Sequence, residues 1–402
     1  MKVGPVLDSH KTATGLRGIS QLYSHRTVQC ACLASLSEAS VQRGISLLVP
    51  FAWNALIARG SSMKWLAKRE FNIPHTGINK IEKVQIGGIE QYILVQSIRE
   101  GLPILLMLHG GPGLPLPGVS SRGRDYVIAT TTKQLMEHYT LVMWDQRGSG
   151  KTYSSGTPRA SFHVQQFVDD AQELIHYVRN TYRCEKVTLV GHSWGSIIGL
   201  LLAAEIPEQI HAYIGISQII NWAENDKLCL EWTLQQADAR GMKKARDELL
   251  RCGDPPYVDS VEQWGTLRKW MGRFNSMVYE DEDTKSPGMK AAISMLLRSP
   301  DYTLRDVINT INGFRTTYTQ RMVEEFAEIQ LEHKLTRLDI PVTFIHGRHD
   351  VHVYGQFVET FCAKLEAPAG KRLIWMDKSA HMFHLDDARR IEQELIEIAI
   401  RA

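Results

Sequence analysis

Runs of consecutive apolar residues, each followed by a cluster of turn-forming residues, recur along the chain from residue 76 to its end. A run that is apolar at every position predicts a strand buried on both faces. Segments with helical character alternate with these runs, which predicts a mostly parallel sheet flanked by helices. The predicted strands are 103–108, 140–144, 187–190, 212–216, 340–345 and 372–376.

Residues 217–335 have a different pattern, because they are charged, helical in their spacing and poor in strand-like runs. We therefore predict an α/β fold with a helical cap inserted between the late strands. The core is expected to comprise 76–216 and 336–402, with the cap at 217–335. Residues 1–75 do not follow this plan and are treated as an N-terminal extension of uncertain structure.

The strand predicted at 187–190 leads into a Gly-x-Ser-x-Gly motif with Ser193 at its centre. Small and aliphatic residues follow at 197–204 and predict a helix. Strand, sharp turn and helix form the context of a nucleophile elbow, in which the turn lifts the serine hydroxyl clear of the sheet. Ser193 is therefore the predicted nucleophile.

Two later loops supply the partners that such a serine needs, in the chain order serine, acid, histidine. Asp350 follows the strand predicted at 340–345, and His381 follows the last predicted strand. His381 is expected to accept the serine proton, and Asp350 to orient the imidazole ring. His349 and His384 are alternative bases, but His384 falls where the last helix should begin.

A glycine-rich turn after the strand at 103–108 predicts an oxyanion hole. Gly111 is the expected source of one backbone N–H, and Trp194, the residue after the nucleophile, of the other. A second glycine loop at 148–152 looks like the end of a phosphate-binding loop, but Asp145 stands where that pattern requires glycine. We expect Asp145 and Arg147 to fix a loop beside the oxyanion turn instead.

Three motifs together give a family resemblance: His-Gly-Gly-Pro-Gly at 109–113, Trp-Asp-Gln-Arg-Gly-Ser-Gly at 144–150 and Gly-His-Ser-Trp-Gly-Ser at 191–196. The chain resembles the proline iminopeptidase family of α/β-hydrolases over residues 75 to 400. The resemblance implies the α/β-hydrolase fold, and an acyl-enzyme reaction that removes N-terminal residues from short peptides. It implies the same roles for Ser193, Asp350, His381, Gly111 and Trp194.

The resemblance also implies that acidic residues of the helical insert hold the free amino group of the substrate. Glu224 is the first candidate for this amine anchor, with Glu231 and Asp226 behind it. Trp222 is the first candidate for an apolar pocket around a prolyl ring. Tryptophans that could line this pocket are Trp222, Trp232, Trp264 and Trp270.

Two positions depart from the family pattern and leave proline specificity open. His192 precedes the nucleophile and Ala380 precedes the base, where the family commonly has glycine. An alternative function is therefore a carboxylesterase or amidase that acts on a small non-peptide molecule and needs no amine. A non-catalytic ligand-binding protein on the same scaffold is a further alternative.

Composition narrows the classes of partner. The formal charge is +2 in 402 residues, which gives no electrostatic case for nucleic acid. The six cysteines are scattered, as in reduced cytosolic proteins. His346, His349, Asp350 and His352 crowd one turn, but the helical metal motif His-Glu-x-x-His is absent. We expect no metal and no cofactor, and a small-molecule or short-peptide substrate.

The N-terminus has no apolar core behind its basic start, so it does not predict a standard signal peptide. Residues 45–58 are apolar but shorter than the ~20 residues of a membrane span, and predict at most weak membrane association. Met63 opens a more ordinary start for this family, so the upstream residues could lie outside the working protein. The expected location is cytoplasmic, with membrane association through 45–58 as the alternative.

Overall fold

The computed structural model of the protein describes residues 69–401. Its strands form a single eight-stranded sheet in the order β1-β2-β4-β3-β5-β6-β7-β8. The strands are β1 (Ile78–Ile86), β2 (Ile89–Ser97), β3 (Ile104–Leu108), β4 (Thr140–Asp145), β5 (Val187–His192), β6 (Ile210–Ile216), β7 (Val342–Gly347) and β8 (Lys371–Met376).

Six of these strands, β3 to β8, are parallel to one another and correspond to the predicted runs. The mostly parallel sheet of an α/β-hydrolase fold is therefore confirmed. Strands β1 and β2 pair antiparallel, and β2 also pairs antiparallel with β4. The prediction missed both strands, because β1 lies at the sheet edge and mixes exposed polar with buried apolar positions.

Apolar clusters cover both faces of the sheet, which explains the uninterrupted apolar runs. In β3, Ile104, Leu106 and Leu108 belong to one cluster, while Leu105 and Met107 belong to the other. Successive side chains of a strand point to opposite faces, so a strand covered on both sides must be apolar throughout. The helices of the core are α1 (Leu135–His138), α2 (Val164–Tyr182), α3 (Trp194–Glu205), α11 (Gly355–Lys364) and α12 (Leu385–Arg401).

The segment between β6 and β7 contains seven helices, and the only β structure among its described residues is two isolated bridges. Its two ends meet, because the Trp222 N–H donates to the Ile329 carbonyl at 3.0 Å and the Leu331 N–H to the Ile220 carbonyl at 2.8 Å. We call this segment the helical insert. Its helices are α4 (Trp222–Ala239), α5 (Lys243–Cys252), α6 (Val261–Arg273), α7 (Gly288–Leu297), α8 (Leu304–Thr317), α9 (Gln320–Ala327) and α10 (Leu331–Lys334).

Polar side chains fix where several insert helices begin. Asn221, Ser260, Thr303 and Thr319 each accept a hydrogen bond from the backbone N–H three residues later. Each bond satisfies one of the amide groups that a helix leaves unpaired at its N-terminus. The helical pattern in the sequence is thus matched by local start signals.

Most of the predicted N-terminal extension lies outside the described residues, including the apolar segment 45–58, Met63 and two of the cysteines. Residues 69–75 are described, and the Glu70 N–H donates to the Gly123 carbonyl at 2.7 Å. Within residues 69–401, no helix combines the length and the apolar character needed to cross a membrane.

Candidate active site

The turn between β5 and α3 holds Ser193 in a backbone conformation that residues other than glycine rarely adopt, with φ +53° and ψ −120°. The Ser193 N–H donates to the Ile216 carbonyl at 3.0 Å, which ties the turn to the neighbouring strand β6. A Cβ atom on Gly191 would lie 2.5 Å from the Gly195 carbonyl oxygen, and one on Gly195 would lie 2.2 Å from the Leu108 carbonyl oxygen. Only glycine fits at these two positions, and the strained turn places Ser193 at the carboxyl edge of the sheet.

The structure brings Ser193, His381 and Asp350 into one hydrogen-bonded chain. His381 Nε2 lies 2.9 Å from Ser193 Oγ, and His381 Nδ1 lies 2.8 Å from Asp350 Oδ2. The three residues follow β5, β8 and β7, whose carboxyl ends share one edge of the sheet. The Asp350 carboxylate is held in turn, because Oδ1 accepts the N–H groups of His352 and Val353, both at 2.8 Å.

The two alternative bases lie elsewhere. His349 stacks on the Tyr279 ring at 3.6 Å, and its Nε2 lies 3.1 Å from the Asp377 carbonyl oxygen. His384 precedes α12, where its Nδ1 accepts the Asp386 N–H at 3.2 Å. Neither ring contacts Ser193.

The electrostatic environment keeps Asp350 ionised. Burial alone would raise its pKa, but the adjacent His381, the hydrogen bond to it and the nearby His346 ring together hold the pKa well below its usual value. An ionised Asp350 accepts the Nδ1–H of His381, which leaves Nε2 of the neutral ring free to accept the Ser193 hydroxyl proton. The arrangement can therefore turn the serine into a nucleophile.

The glycine turn after β3 lies against the nucleophile. A Cβ atom on Gly110 would lie 3.2 Å from Ser193 Cβ, and both Gly110 and Gly111 line the cavity that contains Ser193. Trp194 is the first residue of α3, so its backbone N–H has no acceptor within the helix. The N–H groups of Gly111 and Trp194 are thus available for the role predicted from the sequence.

Gln146 holds this turn in place through hydrogen bonds. The sequence analysis predicted this role for its neighbours, Asp145 and Arg147. The Gln146 side chain donates to the His109 carbonyl at 3.1 Å and accepts the Trp194 indole N–H at 3.2 Å. The Gln146 backbone N–H donates to His109 Nε2 at 3.2 Å. Burial lowers the pKa of His109 to about 4, so that its neutral ring can accept this bond.

Asp145 and Arg147 both have structural partners, which the sequence did not identify. Arg147 is buried and forms a bidentate pair with Asp170 of α2, with both N–O distances at 2.8 Å. Asp145 accepts the Val119 N–H at 2.7 Å and the Tyr302 hydroxyl at 2.5 Å. Asp145 therefore connects the sheet to the segment that leads into α8 and also holds the loop that follows the oxyanion turn.

A cavity of about 210 Å³ opens in front of Ser193, between the sheet edge and the helical insert. Trp222 and Trp264 line it, as predicted for an apolar pocket, whereas Trp232 and Trp270 lie elsewhere. The indole N–H of Trp270 donates to Glu248 at 2.9 Å. Residues of the insert that line the cavity are Ile219, Trp222, Asn225, Trp264, Arg268, Gly272, Met277, Phe314 and Tyr318.

The predicted amine anchors do not line this cavity, which corrects the prediction. Glu224 lies on the outer face of α4, half exposed and paired with Lys227 at 2.6 Å. Glu231 is also exposed. Asp226 is buried, but its carboxylate is bonded to Arg268 rather than free for a substrate. Helical spacing alone does not reveal which face of α4 turns inward.

Two histidines line the cavity although the sequence analysis gave them no place in it. His192 is buried with its ring 5.2 Å from that of His381, and burial lowers its pKa to about 3. His352 is half-buried, with its ring 4.7 Å from that of His381. The available signals were positional: His192 directly precedes the nucleophile, and His352 lies two residues after the triad acid.

The histidines around Asp350 have separate partners. His346 Nε2 lies 2.8 Å from the Val353 carbonyl oxygen, and His352 Nδ1 lies 3.2 Å from Ser276 Oγ. Among residues 69–401 no group of three or more histidine, cysteine or acidic side chains is arranged to hold a metal ion.

The sheet order, the elbow and the position of the three polar residues define an α/β-hydrolase. A family model described as the alpha/beta hydrolase fold matches residues 103–388, which is more than half of the chain. The chain belongs to this family, and it is a hydrolase.

Individual relatives are more distant. A probable aminopeptidase, YbaC of Bacillus subtilis (strain 168), is 25% identical over 307 residues, which cover 76% of this chain and 92% of that protein. A proline iminopeptidase of Xanthomonas citri is 28% identical over 264 residues, covering 62% of this chain and 75% of that protein.

Among solved structures, the proline iminopeptidase-related protein of Thermus thermophilus has a TM-score of 0.51 at 19% identity, covering 80% of this chain and 98% of its own. At this identity the similarity shows the fold alone.

Proposed function

We propose that the protein is a serine hydrolase that cleaves small ester or amide substrates through an acyl-enzyme on Ser193. The observation that carries the proposal is the hydrogen-bonded chain from Ser193 through His381 to Asp350, which opens onto a cavity. Ser193 Oγ attacks the substrate carbonyl carbon while His381 Nε2 takes the hydroxyl proton. Asp350 holds the ring and stabilises its charged form.

The developing oxyanion is stabilised by the N–H groups of Gly111 and Trp194. His381 then passes its proton to the leaving amine or alcohol, and the carbon–heteroatom bond breaks to give the acyl-enzyme. A water molecule, deprotonated by His381, attacks the acyl carbon. The second tetrahedral intermediate releases the acid and returns the proton to Ser193.

The cavity favours substrates without a free ammonium group. No aspartate or glutamate is among the described residues that line it, and its one permanently charged side chain is the cation Arg268. A buried site of this kind offers no counter-charge to an ammonium group. An esterase or amidase without an amine requirement is therefore the first candidate for the substrate class.

Proline iminopeptidase-like removal of N-terminal residues is the second candidate. It is supported by the three sequence motifs and by relatives named as aminopeptidases and proline iminopeptidases. Trp222 and Trp264 would then contact the side chain of the N-terminal residue.

Parallel assays separate the two candidates. Hydrolysis of the p-nitroanilides of proline, alanine and leucine is compared with that of p-nitrophenyl acetate and butyrate, with Ser193→Ala as the control. Ester cleavage that is lost in Ser193→Ala, without cleavage of the anilides, supports the first candidate. Selective cleavage of the proline anilide supports the second, and activity that survives in Ser193→Ala contradicts both.

A further inference from the structure

Of the described side chains that line the cavity, one carries a permanent charge, and it is a cation. Besides His381, the ionisable side chains lining the cavity are Arg268, His192, His352 and Tyr318. The Arg268 side chain, on α6, is only 14% exposed. Its guanidinium carbon lies 5.7 Å from the Trp222 ring and 5.1 Å from the Trp264 ring. Two aromatic side chains thus hold a cation at the wall of a small cavity.

The counter-ion of Arg268 stands behind it. Asp226 is bonded to Arg268 and is 3% exposed, and it is not part of the cavity lining. Of the five N–H bonds that an arginine carries, one is directed to Asp226 and one to Met271 Sδ. The guanidinium also interacts with the Cys229 thiol, and the remaining donors have no oxygen acceptor within residues 69–401. The guanidinium therefore has donors left over on a side chain that lines the cavity.

His352 adds a second donor beside the triad. Its Nδ1 lies 3.2 Å from the buried Ser276 hydroxyl, and its Nε2 has no partner among the described residues. When the Ser276 hydroxyl donates to Nδ1, the ring carries its proton on Nε2. Burial first, and then the charges of His381 and Arg268, hold the pKa of His352 well below its usual value. The ring is therefore neutral, and the positive charge of Arg268 is one cause of this.

We propose that Arg268 and His352 form a carboxylate subsite, so that the substrate is a small ester or amide that carries a carboxylate group. The guanidinium is the group that best matches a carboxylate, through charge-assisted and often paired hydrogen bonds. A carboxylate would take up the donors that the protein leaves unused, whereas an ammonium group would meet only like charge. This inference rests on the proposed function, because the subsite is defined by lining the same cavity as Ser193.

Boronic acids test the subsite without knowledge of the natural substrate, because they form a tetrahedral adduct with an activated serine. The probes are phenylboronic acid and its 3- and 4-carboxy and 3- and 4-aminomethyl derivatives. Their dissociation constants are measured by isothermal titration calorimetry on the full chain. We expect a carboxy derivative to bind at least about ten-fold more tightly than phenylboronic acid, and both aminomethyl derivatives more weakly.

Two variants assign the preference to Arg268. Arg268→Met alone leaves the Asp226 carboxylate buried without its cation, so the double variant Arg268→Met/Asp226→Asn is made beside it. The matched control is Arg246→Met, which removes an arginine from an exposed pair with Asp238 at 3.0 Å. In the folded Arg268 variants, the carboxy derivatives should bind about as tightly as phenylboronic acid. In Arg246→Met, their tighter binding should persist.

The outcomes distinguish a failure of the carboxylate subsite from a failure of the proposed serine-hydrolase function. Equal binding of all the boronic acids, or a preference that survives in the folded double variant, overturns the subsite while leaving Ser193 as nucleophile. Tighter binding of an aminomethyl derivative overturns it in favour of an amine site. Failure of every boronic acid, including the unsubstituted one, to bind overturns the proposed function and the subsite together.

Discussion

The sheet edge and the helical insert contribute to the same cavity by different physical means. At the sheet edge, Ser193, Asp350 and His381 follow three parallel strands, and the backbone of the sheet fixes where their side chains meet. In the insert, the cavity wall is held by side-chain packing, with the Trp222 ring stacked on Phe326 at 4.0 Å. The chemistry of the site therefore depends on the backbone geometry of the sheet, and its selectivity depends on the packing of the insert.

The largest effect should come from the nucleophile. Ser193→Ala removes the attacking oxygen but keeps the backbone turn, so we expect turnover to fall on the order of 10⁶-fold while the fold persists. The rate of ester or amide hydrolysis measures the loss, and circular dichroism with thermal unfolding checks the fold. A folded variant with near-normal turnover would show that the sheet edge does not carry the chemistry.

The next effect concerns the orientation of the base. Asp350→Asn replaces the acceptor of the His381 Nδ1–H by an amide and favours the wrong ring tautomer, so we expect kcat to fall about 10⁴-fold. His349→Gln is the matched control, because this partly exposed neighbour stacks on Tyr279 outside the hydrogen-bonded chain. Equal losses in both variants would argue against the assignment of Asp350.

Glycine substitutions compare the stability of the two regions. Gly195→Ala brings a Cβ atom within 2.2 Å of the Leu108 carbonyl oxygen, so we expect the free energy of unfolding to fall by about 1–3 kcal/mol. Gly265→Ala, in α6, meets nothing within 4 Å and should raise it by about 0.5–1 kcal/mol. Urea unfolding measures both changes, and a tolerated Gly195→Ala would contradict the close packing of the elbow.

Asp145 links the sheet to the insert through Tyr302. Its titration should make the free energy of unfolding depend on pH. Burial raises its pKa to about 6 in the folded protein, against 3.8 without burial. A raised carboxyl pKa stabilises the fold below the unfolded value, and this contribution is lost as the pH rises through the folded value. Between pH 5 and pH 7, the free energy of unfolding should lose about 1 kcal/mol from this group.

Asp145→Asn is the variant that reports this loss. Subtracting its unfolding curve from that of the wild type isolates the contribution of Asp145. A difference that grows with pH would have the wrong sign for a buried carboxyl with a raised pKa. Asp350, whose pKa is lowered, has the opposite sign, since its stabilisation is lost as the pH falls.

The smallest effect is expected for the residue first chosen as amine anchor. Glu224→Gln breaks a half-exposed pair with Lys227 on the outer face of the insert. Exposed pairs contribute about 0–1 kcal/mol, so stability and the KM for every substrate should stay nearly unchanged. A raised KM for aminoacyl substrates alone would restore Glu224 to the site and contradict its placement.

The sheet edge could be predicted because its signals are local. The apolar runs, the glycines around Ser193 and the polar loops after β7 and β8 each follow from backbone rules that act within a few residues. Strand β1 was missed, since its mixed pattern is that of an edge strand. Gln146 was missed as the fastener of the oxyanion turn, since its role depends on contacts with His109 and Trp194 across the fold.

The insert could be predicted only as a helical segment. Its helix starts have local polar caps, but the inward face of each helix is decided by tertiary packing. For that reason the exposed Glu224 was chosen and the buried Arg268 was overlooked. Large apolar side chains predict a pocket wall, and Trp222 and Trp264 do line the cavity. The same criterion also predicts Trp232 and Trp270, which lie elsewhere.

Reaction with a fluorophosphonate probe, followed by intact-mass measurement and peptide mapping, tests the central claim most directly. The account predicts a single adduct on Ser193 of the folded wild-type protein, and none on Ser193→Ala. Asp350→Asn should react much more slowly than the wild type. A folded wild-type protein that forms no adduct, or that is labelled at another residue, would contradict an activated serine at this site.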